Sequence, residues 1–500
     1  MALDWKTCSE ARLSRDVRFD GKFFIGVLTS GVYCRPICPA RTAQERNVRY
    51  FPTAAAAAEA GFRPCLRCRP ECSPGTPAWM GTSNTVSRAL RLIDESALED
   101  GGIEALAERL GIGSRHLRRL FLTHLGATPS AVAQTRRLQF AKKLIDETKL
   151  AMSEIAFAAG FGSVRRFNAA ILKTYSRTPR QIRRLAHLKE TQAENTYLFR
   201  LRFRPPYQWE MLLQYLKLRA IPGVEQVEGN VYRRSIALAG QHGSFEMSLD
   251  ATGAALLARI QFTDPRALFQ IVERIRNMFD LNADWHAIAA RLATDRALGQ
   301  RIRKAPGLRV PGCWDGFELA VRAILGQQVT VKGATTLAGR LVRAFGVPFT
   351  GVEGLTHLFP QPAALIEADL KSIGLPSARA ETIRELARAV ATGTIRFDGV
   401  IDTAAFMAKL CDVSGIGRWT AQYVAMRALR EPDGFPAGDL GLLRGLGFES
   451  ERELEQRSEA WRPWRAYAAM YVWNVPIEKT ERVNRAAAAA VVGSRAEQRI

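Results

Sequence analysis

The chain has 500 residues, 47% of them hydrophobic, enough to bury more than one core and to suggest two to four domains. Its 71 Lys and Arg against 49 Asp and Glu leave a formal charge of +22, an excess that points to nucleic acid or an anionic membrane as partner. No apolar run of about 18 residues and no basic-then-apolar start is present, so the expectation is no membrane partner and a cytoplasmic location, where disulfides are rare. Six of the eight cysteines (Cys8, Cys34, Cys38, Cys65, Cys68 and Cys72) lie in the first segment, and only Cys313 and Cys411 follow. Clustering of that kind points to metal or catalysis rather than to disulfides.

Residues 1 to about 75 are cysteine-rich and punctuated by Pro and Arg, with AAAAAEA (54–60) reading as a short helix. The pairs Cys34-x3-Cys38 and Cys65-x2-Cys68 offer four thiolates at tetrahedral corners, which suits one zinc ion in a purely structural knuckle. Spacing alone leaves Cys72 open as a substitute ligand. The surrounding FFIGVLTSGVYCRPICPARTAQERNVRYF and AGFRPCLRCRP resemble the N-terminal domain of the Ada family of methyl-phosphotriester repair and sensor proteins. The resemblance implies that Cys34, Cys38, Cys65 and Cys68 bind zinc and that Cys34 is also the methyl acceptor. It further implies that Ser30, Arg41, Arg63 and Arg67 contact the DNA phosphate. Zinc would keep Cys34 an ionised nucleophile at neutral pH. Methylation would take the centre from about −2 to about −1, easing its repulsion from DNA and making repair a binding switch.

From about 83 to 187 the chain is helical and basic. IEALAERLGIGSRHLRRLFLTHLG reads as two helices joined by a Gly turn, with Ser114 expected as N-cap of the second; MSEIAFAAGFGSVRRFNAAILKTYSRTP repeats the pattern with Ser163 as cap. This is the helix-turn-helix form, whose second helix enters the major groove. The two copies, with TPSAVAQTRRLQFAKKLI between them, resemble the AraC-type DNA-binding domain. Arg115, His116, Arg118 and Arg119 in one copy, and Arg165, Arg166 and Asn168 in the other, are the candidate DNA contacts.

After the polar KETQAENT, the segments YLFRLRF and VYRRSIAL alternate like strands, and from about 296 long amphipathic helices broken by Gly and Pro take over. Near residue 404, an amphipathic helix, the turn Val413-Ser414-Gly415-Ile416-Gly417 and a second helix form a helix-hairpin-helix. Gly415 and Gly417 let backbone approach a DNA phosphate, which the second helix's N–H groups then receive. FPAGDLGL follows and sets Asp439 at a helix start, where it reads as an N-cap, as a catalyst, or as both. From about 198 to 480 the chain resembles the AlkA family of 3-methyladenine DNA glycosylases. That resemblance implies a TATA-binding-protein-like subdomain, catalysis by Asp439, and an aromatic cleft built from Tyr215, Trp419, Tyr423 and Trp473 around a flipped base. Gln327 and Gln328 fall at the substrate, Gln328 where the family has an apolar wedge. Leu440 and Asn474 replace aromatics, and Ser414 replaces the hairpin proline. Trp419 occupies the position where bifunctional relatives carry a Schiff-base lysine, so an intact abasic site is the expected product.

The expected fold is multidomain and mainly α with α+β parts. It comprises a zinc α+β domain (1–75), an AraC-type double helix-turn-helix (83–187), a TBP-like α/β subdomain (197–295), a helix-hairpin-helix glycosylase domain (296–485) and a tail (486–500). The leading reading is an alkylation-response activator and monofunctional glycosylase. Its partners would be alkylation-damaged double-stranded DNA, promoter DNA and RNA polymerase, and it would act as a monomer. A regulator with a degenerate glycosylase-like module is the alternative. No PCHR-like motif is present, so O6-methylguanine methyltransferase activity is not expected.

Overall fold

The computed structural model of the chain describes residues 4–74, 84–94, 102–185, 193–400 and 402–476; the tail expected at 486–500 lies outside them. Near the start, Phe24–Val27 pairs antiparallel with Val32–Cys34 and with Val48–Phe51, and Arg63–Pro64 adds to Val32–Cys34 in parallel. The alanine run forms the helix Ala54–Glu59, capped by Thr53, whose side chain accepts from the Ala56 N–H. Small side chains let this helix sit close to the sheet and to the next module. The Thr53 hydroxyl donates to the Leu125 carbonyl at 2.8 Å.

Both helix-turn-helix copies are present, as Gly102–Arg109 with Ser114–Leu125 and as Met152–Ala158 with Val164–Tyr175. Ser163 caps its helix, accepting from the Arg166 N–H at 3.2 Å. Ser114 does not: Gly113 is the N-cap and Ser114 is the first helical residue, so that helix starts without a side-chain cap. The 19-residue helix Pro129–Glu147 joins the copies. Its first half packs through Val132 into a core shared with Ala54–Ala57, Leu117 and Phe121. Its second half, through Phe140, Leu144 and Ile145, enters another core that continues into the strand residues Phe199, Phe245 and Ile260. Phe140 stacks edge-on against Phe269 of the following module at 5.0 Å.

That module is a five-stranded antiparallel sheet in the order Thr196–Arg202, Ala255–Phe262, Gln241–Leu249, Val231–Leu238, Glu225–Glu228. Thr196–Arg202 alternates strictly between buried and half-buried positions, so one face lies on the core. Helices begin earlier than the composition change at 296 suggests, with Leu268–Met278 and Trp285–Leu292 already in place. A separate helical core gathers Phe317, Leu341, Ile383, Leu386 and Val424. An antiparallel hairpin, Val347–Val352 with Leu355–Leu358, interrupts these helices where only helix was expected. Among the described residues no helix is long and apolar enough to cross a membrane.

Candidate metal centre and glycosylase site

The parallel pairing Val32↔Arg63 and Tyr33↔Pro64 sets the end of one strand beside the end of the other, which brings Cys34 next to Cys65. Each strand then turns back, delivering Cys38 and Cys68 to the same point. The four sulfurs lie within 4.8 Å of one another. A zinc ion with Zn–S bonds of about 2.3 Å needs sulfur separations of about 3.8 Å, so the set fits one tetrahedral ion. The Arg35 backbone N–H points at the Cys68 sulfur at 3.4 Å, as suits a charged ligand. Cys72 is not in the cluster, which closes the option that spacing left open, and none of the eight cysteines forms a disulfide. Cys34 and Cys68 are buried, whereas Cys38 and Cys65 are partly exposed. Ser30, Arg41, Arg63 and Arg67 are all exposed on this domain.

On the two second helices of the helix-turn-helix copies the burial pattern repeats. Leu117 and Phe167 face the core, while Arg115, His116, Arg118, Arg119, Arg165, Arg166 and Asn168 face solvent. His116 and Arg119 hydrogen-bond each other at 2.9 Å.

In the C-terminal half, Thr403–Cys411 and Arg418–Arg427 flank the hairpin. Gly415 has φ +85°, and a Cβ there would lie 2.2 Å from the Thr382 hydroxyl, so only glycine fits this turn. Gly417 caps the second helix without a side chain, and nothing lies within 4 Å of where its Cβ would be, leaving open space beside that helix start. Gln327 does not point into a cleft. Its amide donates to the Gly415 carbonyl at 3.0 Å and to the Thr420 hydroxyl at 3.2 Å, bracing the hairpin. Gln328 beside it is exposed, with φ +57°.

Asp439 is the N-cap of Leu440–Leu446, its Oδ1 accepting from the Leu442 N–H at 3.0 Å. The same oxygen accepts from the Trp473 indole at 2.9 Å, and Oδ2 accepts from the Trp419 indole at 3.0 Å. Trp419 stacks on Tyr423, one turn along its helix, with ring centres 5.5 Å apart and planes 5° from parallel. Trp473 closes a third side, 6.4 Å from Tyr423. Tyr215 stands behind these rings: it is 5% exposed, with the Arg219 guanidinium 3.8 Å from its ring centre and Arg427 at 5.3 Å. Arg427 also donates to the Tyr423 hydroxyl at 2.7 Å. Although burial alone would raise it, the nearby Arg427 and Arg219 charges hold that hydroxyl below the usual tyrosine range. Leu440, next to Asp439, is 63% exposed, and the Asn474 amide is turned onto the Met470 carbonyl of its own helix. Two features escaped sequence reading. One is the pair of indole donors on Asp439, signalled only by Trp at both positions. The other is Arg427, hidden as an ordinary helix residue.

Four known families match successive segments of the chain. The metal binding domain of Ada matches residues 7–71, and a helix-turn-helix domain matches 106–185. The AlkA N-terminal domain matches 198–315, and the HhH-GPD superfamily of base excision DNA repair proteins matches 321–463. The chain is 41% identical over 478 residues to the "Probable bifunctional transcriptional activator/DNA repair enzyme AlkA" of Mycobacterium tuberculosis, covering 94% of this chain and 96% of that relative. The chain belongs to the family of bifunctional Ada/AlkA-type transcriptional activators and DNA repair enzymes. As a member it joins an AlkA-like DNA glycosylase to a DNA-binding helix-turn-helix and an Ada-type metal-binding domain with one four-cysteine zinc site. Its second half is also 32% identical to DNA-3-methyladenine glycosylase 2 of Escherichia coli K12, over 55% of this chain and 96% of that one. The fold is shared with a 3-methyladenine DNA glycosylase of Archaeoglobus fulgidus, at TM-score 0.50 and 23% identity, over 55% of this chain and 97% of that one.

Proposed function

We propose that the C-terminal half is a monofunctional glycosylase that releases alkylated bases such as 3-methyladenine and that Asp439 is its catalyst. The observation that carries this is the Asp439 carboxylate held by the Trp419 and Trp473 indoles at one corner of an aromatic cleft. The C1′–N bond breaks with its electron pair leaving on the base, and the fixed carboxylate faces the positive charge that develops on the sugar. Oδ2 accepts from the Trp419 indole and, as a carboxylate oxygen, retains acceptor capacity for the incoming water, whose oxygen bonds C1′ as its proton passes to Oδ2 and on to solvent. Trp419 and Tyr423 offer parallel ring faces beside this carboxylate for a flipped cationic purine. With Trp419 in the lysine position no Schiff base forms, and the product is an intact abasic site. The decisive experiment is incubation of Asp439→Asn with methylated DNA, where loss of free 3-methyladenine is expected and unchanged release refutes the assignment.

For the N-terminal half the proposal is stoichiometric methyl transfer from DNA methyl-phosphotriesters to Cys34. Bound zinc supplies an ionised thiolate at neutral pH. The Cys34 sulfur forms the S–CH3 bond as the O–CH3 bond breaks, and the electron pair stays on the phosphate oxygen. No proton moves, and the thioether is final. Ser30, Arg41, Arg63 and Arg67 are exposed and so open to holding that phosphate. Cys38 is more exposed than Cys34, which favours it as a second candidate acceptor; peptide mapping of the methylated protein separates the two. Promoter DNA and RNA polymerase complete the activator reading. One chain carries every residue invoked, which supports action as a monomer. The boundaries 1–75, 83–187, 197–295 and 296–485 are proposed as functional divisions.

A further inference from the structure

The residues flanking Cys34 leave its domain in two directions. Tyr33 is buried in the core that also takes Val132 of the Pro129–Glu147 helix. Arg35 runs the other way. Its guanidinium donates to the Cys68 carbonyl at 2.9 Å and pairs with Asp20, both side chains almost fully buried (3% and 4% exposed). The Asp20 carbonyl then accepts from Arg204 Nε of the glycosylase half at 2.9 Å, and Arg204, itself 0% exposed, also donates to the Asn282 carbonyl at 2.8 Å. Two residues along, Lys22 forms an ion pair with Asp284 at 2.6 Å, each side chain 10% exposed. Gly21 between them has φ +74°, and its Cβ would meet the Pro74 carbonyl at 2.2 Å, so the segment fits only as a tight plug.

Buried charges in such a plug have no solvent to fall back on, so shifting one strands its partner. The junction therefore has discrete arrangements rather than a sliding contact. At one end of it, Arg35 takes its position from the four-cysteine site, through its N–H on Cys68 and its guanidinium on the Cys68 carbonyl.

We infer that the four-cysteine site and the glycosylase half are coupled through Arg35, Asp20 and Arg204, with Lys22–Asp284 as a second tie. Metal occupancy and Cys34 methylation alter the packing around Arg204 and Asn282, and the glycosylase half in turn sets how tightly the site holds its metal, since coupling is reciprocal. The inference rests on the one-zinc reading but not on which cysteine accepts methyl.

The test compares amide hydrogen exchange of the full chain with zinc bound, after chelation, and after zinc alone is restored. Exchange across 199–204 and 279–286 is expected to quicken about tenfold on chelation and to recover, while the remote helix Ser377–Ala391 stays unchanged. Asp284→Asn, which keeps a helix cap, is expected to weaken zinc retention against a competing chelator at least about threefold, with Glu228→Gln unchanged as surface control. Equal exchange in both segments with and without zinc, acceleration spread evenly over the chain, or unaltered zinc retention in Asp284→Asn would overturn the coupling. Loss of methyl acceptance at Cys34 alone would leave these signals in place, so the two readings fail separately.

Discussion

Trp473 donates its indole N–H to the Asp439 oxygen that also caps the following helix, so one atom serves both the fold and the site. Removing the acid and removing the donor are therefore different experiments. Asp439→Asn still accepts from the Leu442 N–H and is expected to keep the fold while base release falls about 10²–10³-fold. Trp473→Phe keeps a ring but removes the donor and is expected to lower the single-turnover rate about tenfold, with a smaller effect on DNA binding.

Gly415 offers a test of the hairpin. Gly415→Ala forces a Cβ onto the Thr382 hydroxyl from a left-handed backbone, and a loss of about 1–3 kcal/mol is expected on thermal or denaturant unfolding. Adding Thr382→Ala relieves the clash but not the φ strain, so partial recovery of stability and of duplex affinity is the outcome that supports this account.

Asp280, with φ +49°, accepts from the Tyr467 hydroxyl at 2.8 Å, and burial pushes its carboxyl up to about 6. A folded-state value above the unfolded one favours the protonated form. Its stabilising contribution is complete below about 4 and is lost as pH rises through about 6. Asn tolerates the same backbone and still accepts from Tyr467. Asp280→Asn should raise Tm by about 2–4 °C at pH 8 relative to the parent, and the gain should vanish near pH 4.

The Tyr423 hydroxyl, held down by Arg427 and Arg219, gives an optical signature. A tyrosinate absorbance step below pH 10 is expected in the parent chain and should be missing in Tyr423→Phe. Because the folded-state value is depressed, this group stabilises above the unfolded value and loses that contribution as pH falls through the folded one. The Phe variant should therefore lose more stability at pH 10 than at pH 7.

Chelation of zinc should abolish methyl acceptance and leave the cysteines open to alkylating reagents. Cys34→Ser should remove acceptance while base release by the other half persists. For the helix-turn-helix, each phosphate-contacting arginine among Arg115, Arg118, Arg165 and Arg166 should lower the salt slope of promoter binding by about one when changed to Ala.

Features that are local in the chain were legible from residues alone. Two cysteine pairs, two Gly-turn helix pairs and the hairpin glycines each carry their own geometry within about twenty residues. Asp439 was legible as a cap, and its side chain occupies the cap position. What distance in sequence conceals is contact. The Gln327 amide braces Gly415, 88 residues away, and Tyr215 is sealed by one guanidinium from the turn after its own helix, Arg219, and one from a distant helix, Arg427. Ser114 failed as a cap because the preceding Gly113 took the extended cap conformation, placing the serine one position too late. The Val347–Leu358 hairpin is short and mostly exposed, so it lacks the apolar alternation that marks a strand.

The helix Pro129–Glu147 places Val132 in one core and Leu138, Phe140, Ala141, Leu144 and Ile145 in another. A break in the chain on either side of it would strip a partner from Phe140 or from Val132 and expose oily surface on both fragments. The regulator and the repair enzyme are thus not two cargoes on a tether. Gene fission would have to be accompanied by new surface residues on each product, and recombinant halves should aggregate unless those positions are redesigned.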